Sequence, residues 1–323
     1  MVSRAAALKI AIGGVLVATS CVQMSLPERM FQPPLERVLG LAVVPVSILG
    51  VSATLFTVGV ILASEGVCEV FHGASLWRLV TQDPWMLLRL LACGAAAGLV
   101  LEVLAQWLGR LWYYPFWAPW FYGLLLLPGF AFYWLSIVES YLAAKAVLDA
   151  VARPRPVSGS KRTWPLGAVA LLVSFALSIQ WYAVHGFAFA ITNPAPAAPP
   201  FAYAALAVVG VALLSGALVT ALVRGYWVPW AAIVLAAAAV SAAMEIPNAL
   251  HHHWAYAHFP GPAGPGGVPL TVFLAWPLQY VVFLAIPSLL QPSLVELFWR
   301  PPPWTQISRS RRPFRQHARL PDR

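Results

Sequence analysis

Charge is scarce in this chain. Of 323 residues only 10% are Asp, Glu, Lys or Arg, while 60% are hydrophobic. A soluble domain carries about 25% charged residues, so the composition excludes an ordinary water-soluble globule. Cysteine is nearly absent. Cys21, Cys68 and Cys93 show no C-x-x-C spacing, which argues against a disulfide framework or a zinc cluster. Cys21 closes the stretch VLVATSC, a loose likeness to a lipoprotein signal that also reads as the small-residue end of a first span. Neither a G-x-G-x-x-G fingerprint nor a phosphate-binding loop occurs, so no nucleotide or other cofactor is expected.

What fills the chain instead is long apolar runs, each about 20 residues, the length of a membrane-crossing helix. The reading is an all-α, polytopic transmembrane helical bundle. About eight spans are expected, at 6–25, 38–63, 85–106, 119–146, 165–186, 201–223, 228–247 and 268–291. The first, with Arg4 and Lys9 before its apolar stretch, also fits a signal sequence, cleaved or retained.

The net charge of +9 invites a nucleic-acid reading, but its placement opposes one. Between Arg300 and Arg323 there are seven arginines and one aspartate. A short basic tail after the last span is expected to be disordered and to meet anionic lipid headgroups on the cytoplasmic side. The linker DAVARPRPVSGSKRTW carries Arg153, Arg155, Lys161 and Arg162, whereas 187–200 and 248–267 contain no Lys or Arg. The positive-inside rule then puts both termini in the cytoplasm of a multi-pass cell-membrane protein, and 248–267 outside. Residues 1–148 and 165–299 form two membrane halves of four helices each. They are joined by the cytoplasmic linker 149–164 and followed by the tail 300–323.

The halves echo one another. The first contains LEVLAQWLGRLWYYPFWAPW, with Glu102, Gln106, Trp112 and Tyr114. The second contains MEIPNALHHHWAYAHFPGP, with Glu245, Asn248, Trp254 and Tyr256. Each glutamate ends the third span of its half, and an amide residue and a W-x-Y motif follow. One reading is duplication of a four-helix unit, with a site where the repeats meet. The other takes these Trp and Tyr residues as interfacial anchors.

Glu102 and Glu245 are the candidate catalytic residues. An ionisable group at membrane depth costs about 2.5–3.5 kcal/mol on insertion scales and faces the bundle or a wet cavity. Burial favours the protonated form of a carboxyl, which is then able to act as a general acid. The plain alternative is a glutamate that reaches interfacial water. Gln106, Trp112, Tyr114, Asn248, Trp254, Tyr256 and Gln279 are the candidate substrate-binding residues. Gln180, Tyr182 and His185 are expected on the same side as an added polar lining. Glu139 falls about 30 Å down the fourth span, too far to join Glu102, and is expected to bond Lys145 or cytoplasmic water. No metal is expected. His253 and His258 are the candidates if one binds, although their spacing matches no zinc signature, and a polar loop explains the histidines as well.

The E…W-x-Y skeleton, the glycine-rich turn and the stretch GGVPLTVFLAWPLQY resemble the integral-membrane carotenoid-biosynthesis enzymes of the lycopene cyclase and carotenoid hydratase type. The resemblance implies a duplicated bundle that protonates a polyene with membrane carboxylates. The cyclases carry a P-x-E element at the start of the next span. Here the comparable positions read Pro277-Leu278-Gln279 and Pro128-Gly129-Phe130, so neither carboxylate of that element is present. The partner expected is a membrane lipid or an apolar, isoprenoid-like small molecule, not nucleic acid. A transporter or permease, or a structural membrane subunit without catalysis, are the other readings.

Overall fold

The computed structural model describes residues 3–25, 46–115, 119–152, 162–187, 191, 193–251 and 253–301. Most of the basic linker, nearly all of the tail and the expected start of the second span at residue 38 lie outside the described residues.

Eleven α-helices account for most of the described chain. They are α1 (Arg4–Met24), α2 (Val46–Val70), α3 (Leu76–Gln82), α4 (Trp85–Leu101), α5 (Pro119–Ala152), α6 (Trp164–His185), α7 (Phe201–Ser215), α8 (Ala217–Val223), α9 (Val228–His251), α10 (Leu270–Leu290) and α11 (Ser293–Trp299). Two strands, β1 (Trp112–Tyr113) and β2 (Ala255–Tyr256), pair antiparallel. Among the described residues six helices are long and apolar enough to cross a membrane, and α7 with α8 makes a seventh if the bent pair is one span. The protein is a multi-pass membrane helix bundle. Helix α5 has 34 residues, about 50 Å at 1.5 Å per residue.

The second helix corrects the expected span at 38–63. It runs on to Val70 and so contains Glu65 and Glu69. These acids are held by Lys9 of α1, which lies 3.7 Å from Glu65 Oε1 and hydrogen-bonds Glu69. A cation from the neighbouring helix offsets part of the cost of carrying these two acids on an apolar helix.

Small residues bring the helices close, as lipid-embedded packing requires. A Cβ on Gly13 would stand 2.5 Å from the Gly59 carbonyl, and one on Gly167 would stand 2.7 Å from the Gly210 carbonyl. These contacts join α1 to α2 and α6 to α7. At Gly216 the backbone turns left-handed (φ 64°), and α8 departs from α7 by 78°.

Packing repeats across the halves. Helix α1 packs on α2 as α6 packs on α7; α2 on α5 as α7 on α10; α4 on α5 as α9 on α10. The crossed contacts match too, with α5 on α9 and α10 on α4. Helices α5 and α10 therefore sit at the centre. Trp134, Ile137, Val138 and Tyr141 of α5 and Tyr280, Val282, Phe283 and Leu284 of α10 are wholly buried there.

Glu139 does not bond Lys145. Its Oε1 accepts the backbone N–H groups of Leu76 (2.8 Å) and Trp77 (3.2 Å), so it caps the start of α3. Lys145 instead pairs with Asp149 at 2.8 Å and donates to the Arg300 carbonyl at 2.8 Å, while Tyr226 donates to the other Asp149 oxygen at 2.8 Å. This buried network ties α5, the turn before α9 and the end of α11 together.

Candidate functional site

Glu102 lies where α4 changes from α- to π-helical hydrogen bonding, over Glu102–Leu108. Such single π turns favour functional positions. The side chain is wholly buried, and the Tyr114 hydroxyl donates to its Oε1 at 2.7 Å. Gln106 is buried in the same turn.

Glu245 lies two residues before Pro247, inside α9. Proline has no N–H, so the Ala243 carbonyl loses its usual helical donor. The Cys21 thiol of α1 takes that place, donating to the Ala243 oxygen at 3.2 Å. Glu245 itself is 1% exposed. Its Oε1 accepts two donors, the Tyr256 hydroxyl at 2.5 Å and the Trp276 indole at 3.1 Å. Among the described residues its buried Oε2 has no hydrogen-bond partner. The Trp254 indole donates to the Tyr256 oxygen at 2.9 Å. Asn248, fully buried, fixes the loop by donating to the Trp254 carbonyl (3.0 Å) and accepting from its N–H (3.2 Å). Burial, reinforced by the neighbouring Glu245, pushes the Tyr256 phenol well above the ordinary tyrosine range. Tyr256 is therefore a donor at every physiological pH.

The two W-x-Y motifs meet. Trp112 stands opposite Tyr256 in the ribbon, and Tyr113 opposite Ala255. The Ala257 N–H also donates to the Leu111 carbonyl at 2.9 Å. Alternate residues of a strand share a face, so each motif presents its Trp and Tyr together. The ribbon thereby joins the Tyr114–Glu102 and Tyr256–Glu245 pairs into one unit.

Beside this unit is a cavity of about 70 Å³ between α4, α7 and α10. Its lining is almost wholly apolar, including Leu101, Leu104, Leu111, Phe201, Val208 and Phe259. The polar groups are Trp112, Tyr256, Trp276 and Gln279. Both donors to Glu245 thus face the cavity. The space admits several waters or the end of an apolar chain, but not a whole lipid.

The sequence-predicted residues divide accordingly. Trp112, Tyr256 and Gln279 line the cavity, whereas neither Glu102 nor Glu245 is among its lining residues; Tyr114, Trp254 and Asn248 support the carboxyls or the loop. Gln279 does not bond Glu245; its amide donates to the Tyr133 hydroxyl at 2.8 Å. Gln180 and His185 are exposed, and Tyr182 donates to the Leu108 carbonyl at 2.7 Å. These three form no polar lining with the glutamates. His258 holds the Ala195 carbonyl at 2.7 Å, and His253 is buried. Among the described residues no group of three or more His, Cys, Asp and Glu is placed to hold a metal; the side chains of His251 and His252 lie outside the description. Trp276 and Tyr133 were not foreseen. A Trp next to a mid-span proline (Pro277) is the signal that marks the first; nothing in the sequence marks the second.

Family models, curated proteins and solved structures were all compared with this chain, and none matches it.

Proposed function

We propose that this membrane protein holds an apolar, isoprenoid-like lipid at the ribbon end of its bundle and acts on it by proton transfer. The observation that supports this most is the division of Glu245. One oxygen is occupied by two donors that face an apolar cavity, and the other has no partner. A protonated carboxyl carries one O–H donor, and Oε2 is the oxygen left to carry it. In the proposed step the Oε2–H bond breaks as a C–H bond forms on an alkene carbon. The carbocation then loses a proton from an adjacent carbon to the Glu102 carboxylate. The product is an isomerised or cyclised alkene, and no further reactant is consumed. Trp112, Tyr256 and Gln279 would contact the chain. Gln106, Tyr114, Asn248 and Trp254 would position the acids.

The reading includes a duplicated architecture: two quartets, α1-α2-α4-α5 and α6-α7/α8-α9-α10, giving eight spans. The matched packing and the paired W-x-Y strands support it. Both termini would face the cytoplasm, with the basic tail on anionic headgroups. Kinship with the carotenoid-biosynthesis enzymes belongs to the same proposal.

The test is solvent deuterium. Purified protein in lipid nanodiscs is given a linear polyene or polyprenoid in D₂O, and the lipid is analysed by mass spectrometry. Deuterium on carbon is expected with the wild type and absent with Glu245→Gln and Glu102→Gln. Incorporation by both variants at the wild-type rate would contradict the proposal.

A second reading, proton-coupled transport, is favoured by a separate observation. Polar pairs continue down the central helices, from Gln279–Tyr133 to Tyr280–Ser140 (2.8 Å) and on to Glu139. Proteoliposome flux that depends on a pH gradient and on Tyr280 tests it.

A further inference from the structure

Arg110 is a buried cation without an anion. Its side chain lies in the turn between the π-helical segment and β1, and the residue is 5% exposed. The guanidinium carbon stands 4.7 Å from the centre of the Tyr182 ring and 5.1 Å from that of Phe187. Nη1 donates to the Ala197 carbonyl at 3.1 Å. Nη2 is buried and has no hydrogen-bond partner among the described residues. Among the described residues no carboxylate forms an ion pair with it.

Arginine does not shed its proton, so burial cannot be relieved by neutralisation. Two aromatic faces recover part of the cost but leave the Nη2 donors unused. A second unused donor lies two residues on. The Trp112 indole N–H is also buried and unpartnered, and Trp112 lines the apolar cavity. The flanking residues point the same way. Leu111 lines that cavity, and Gly109 lines the narrow cleft between α6 and α7 that opens beside Pro199 and Pro200. Arg110 does not itself line the cavity, but it sits in the turn that leads to Leu111 and Trp112, which do. A fixed cation beside a spare N–H that faces an apolar cavity calls for a ligand with a negatively charged oxygen head and an apolar tail. The planar guanidinium fork suits a phosphate.

We propose that Arg110 is the headgroup site for a phosphate-headed amphiphile whose chain enters the cavity between α4, α7 and α10. The inference shares that cavity with the proposed function but not its chemistry; it stands whether or not Glu245 transfers a proton.

The test compares three probes on purified, detergent-solubilised protein by thermal shift and native mass spectrometry: farnesyl phosphate, farnesol and inorganic phosphate. The first two share a tail and differ in the head. Farnesyl phosphate is expected to bind at least tenfold tighter than farnesol, and inorganic phosphate at equal concentration is expected not to compete. Arg110→Gln should reduce farnesyl phosphate to the affinity of farnesol, and Arg110→Lys should keep part of the preference. Equal binding of farnesyl phosphate and farnesol by the wild type overturns the proposal, whatever becomes of the variants. An undiminished preference in Arg110→Gln overturns it too. Full competition by inorganic phosphate identifies the free ion as the ligand and overturns the amphiphile.

Discussion

Trp112 and Tyr256 face each other across a two-residue antiparallel ribbon, one from each half of the chain. The pairing joins two Glu–Tyr hydrogen bonds that lie 12 and 11 residues apart in sequence. Removing either hydroxyl should therefore be felt through the ribbon. Tyr256→Phe and Tyr114→Phe are each expected to cost about 1 kcal/mol, the usual net value of a buried hydrogen bond. The double variant should depart from additivity by more than about 0.5 kcal/mol. Detergent-denaturant titration followed by circular dichroism measures all three; strict additivity would mean that the two pairs are independent.

Lys145 and Asp149 form a buried ion pair with further hydrogen bonds on both sides. Breaking such a pair strands a charge and costs about 3–5 kcal/mol, whereas replacing both partners by apolar residues is often near neutral. Lys145→Met should destabilise by that amount. Lys145→Met with Asp149→Leu should recover most of the loss in the same titration.

Glu139 caps α3 through one oxygen. Glu139→Gln keeps an acceptor and is expected to be close to wild type in stability. Glu139→Ala leaves two N–H groups unsatisfied and should cost about 1–3 kcal/mol. Under the proton-transfer reading neither change alters deuterium incorporation per folded molecule. A large loss with Glu139→Gln would favour the transport reading.

Gly98 admits Phe130 at the α4–α5 contact; a Cβ there would meet the Phe130 side chain at 2.3 Å. Gly98→Ala should destabilise by about 1–3 kcal/mol through overpacking. Gly129, where an added Cβ meets nothing within 4 Å, is the control and should tolerate alanine.

Helices were the legible part of this chain, because lipid exposure forces long apolar runs that composition reveals directly. Six of the expected spans match helices long and apolar enough to cross a membrane among the described residues, with the second running on to Val70 rather than ending at 63, and 201–223 matches a helix pair broken at Gly216. The expected end of α2 fell short of Glu65 and Glu69, because the Lys9 that both acids share lies on another helix, and a partner in space leaves no local mark. Within the site, Glu102, Glu245 and the W-x-Y residues were visible as polar groups out of place in apolar sequence. Trp276 and Tyr133 were not, because aromatic residues are common in spans and only three-dimensional packing shows which of them faces a carboxyl. Nothing local in the sequence marks Arg110 as buried; the rings that cover it, Tyr182 and Phe187, lie far away along the chain.

The expected orientation is tested by cysteine labelling. Cys68 and Cys93 are buried and Cys21 partly so, which gives a quiet background. A membrane-impermeant maleimide should label Ala263→Cys in intact cells and Ser158→Cys only after permeabilisation. The reverse pattern would invert the topology.

The central claim is that an apolar ligand occupies the cavity beside Glu245. Photo-crosslinking tests it most directly, using a diazirine-bearing polyprenoid and peptide mapping by mass spectrometry. The account predicts adducts on cavity residues such as Phe201, Trp276 and Gln279, suppressed by unlabelled polyprenoid. Adducts confined to outward-facing residues such as Leu172, Val184 and Leu274 (70%, 76% and 75% exposed), and insensitive to competitor, would contradict it.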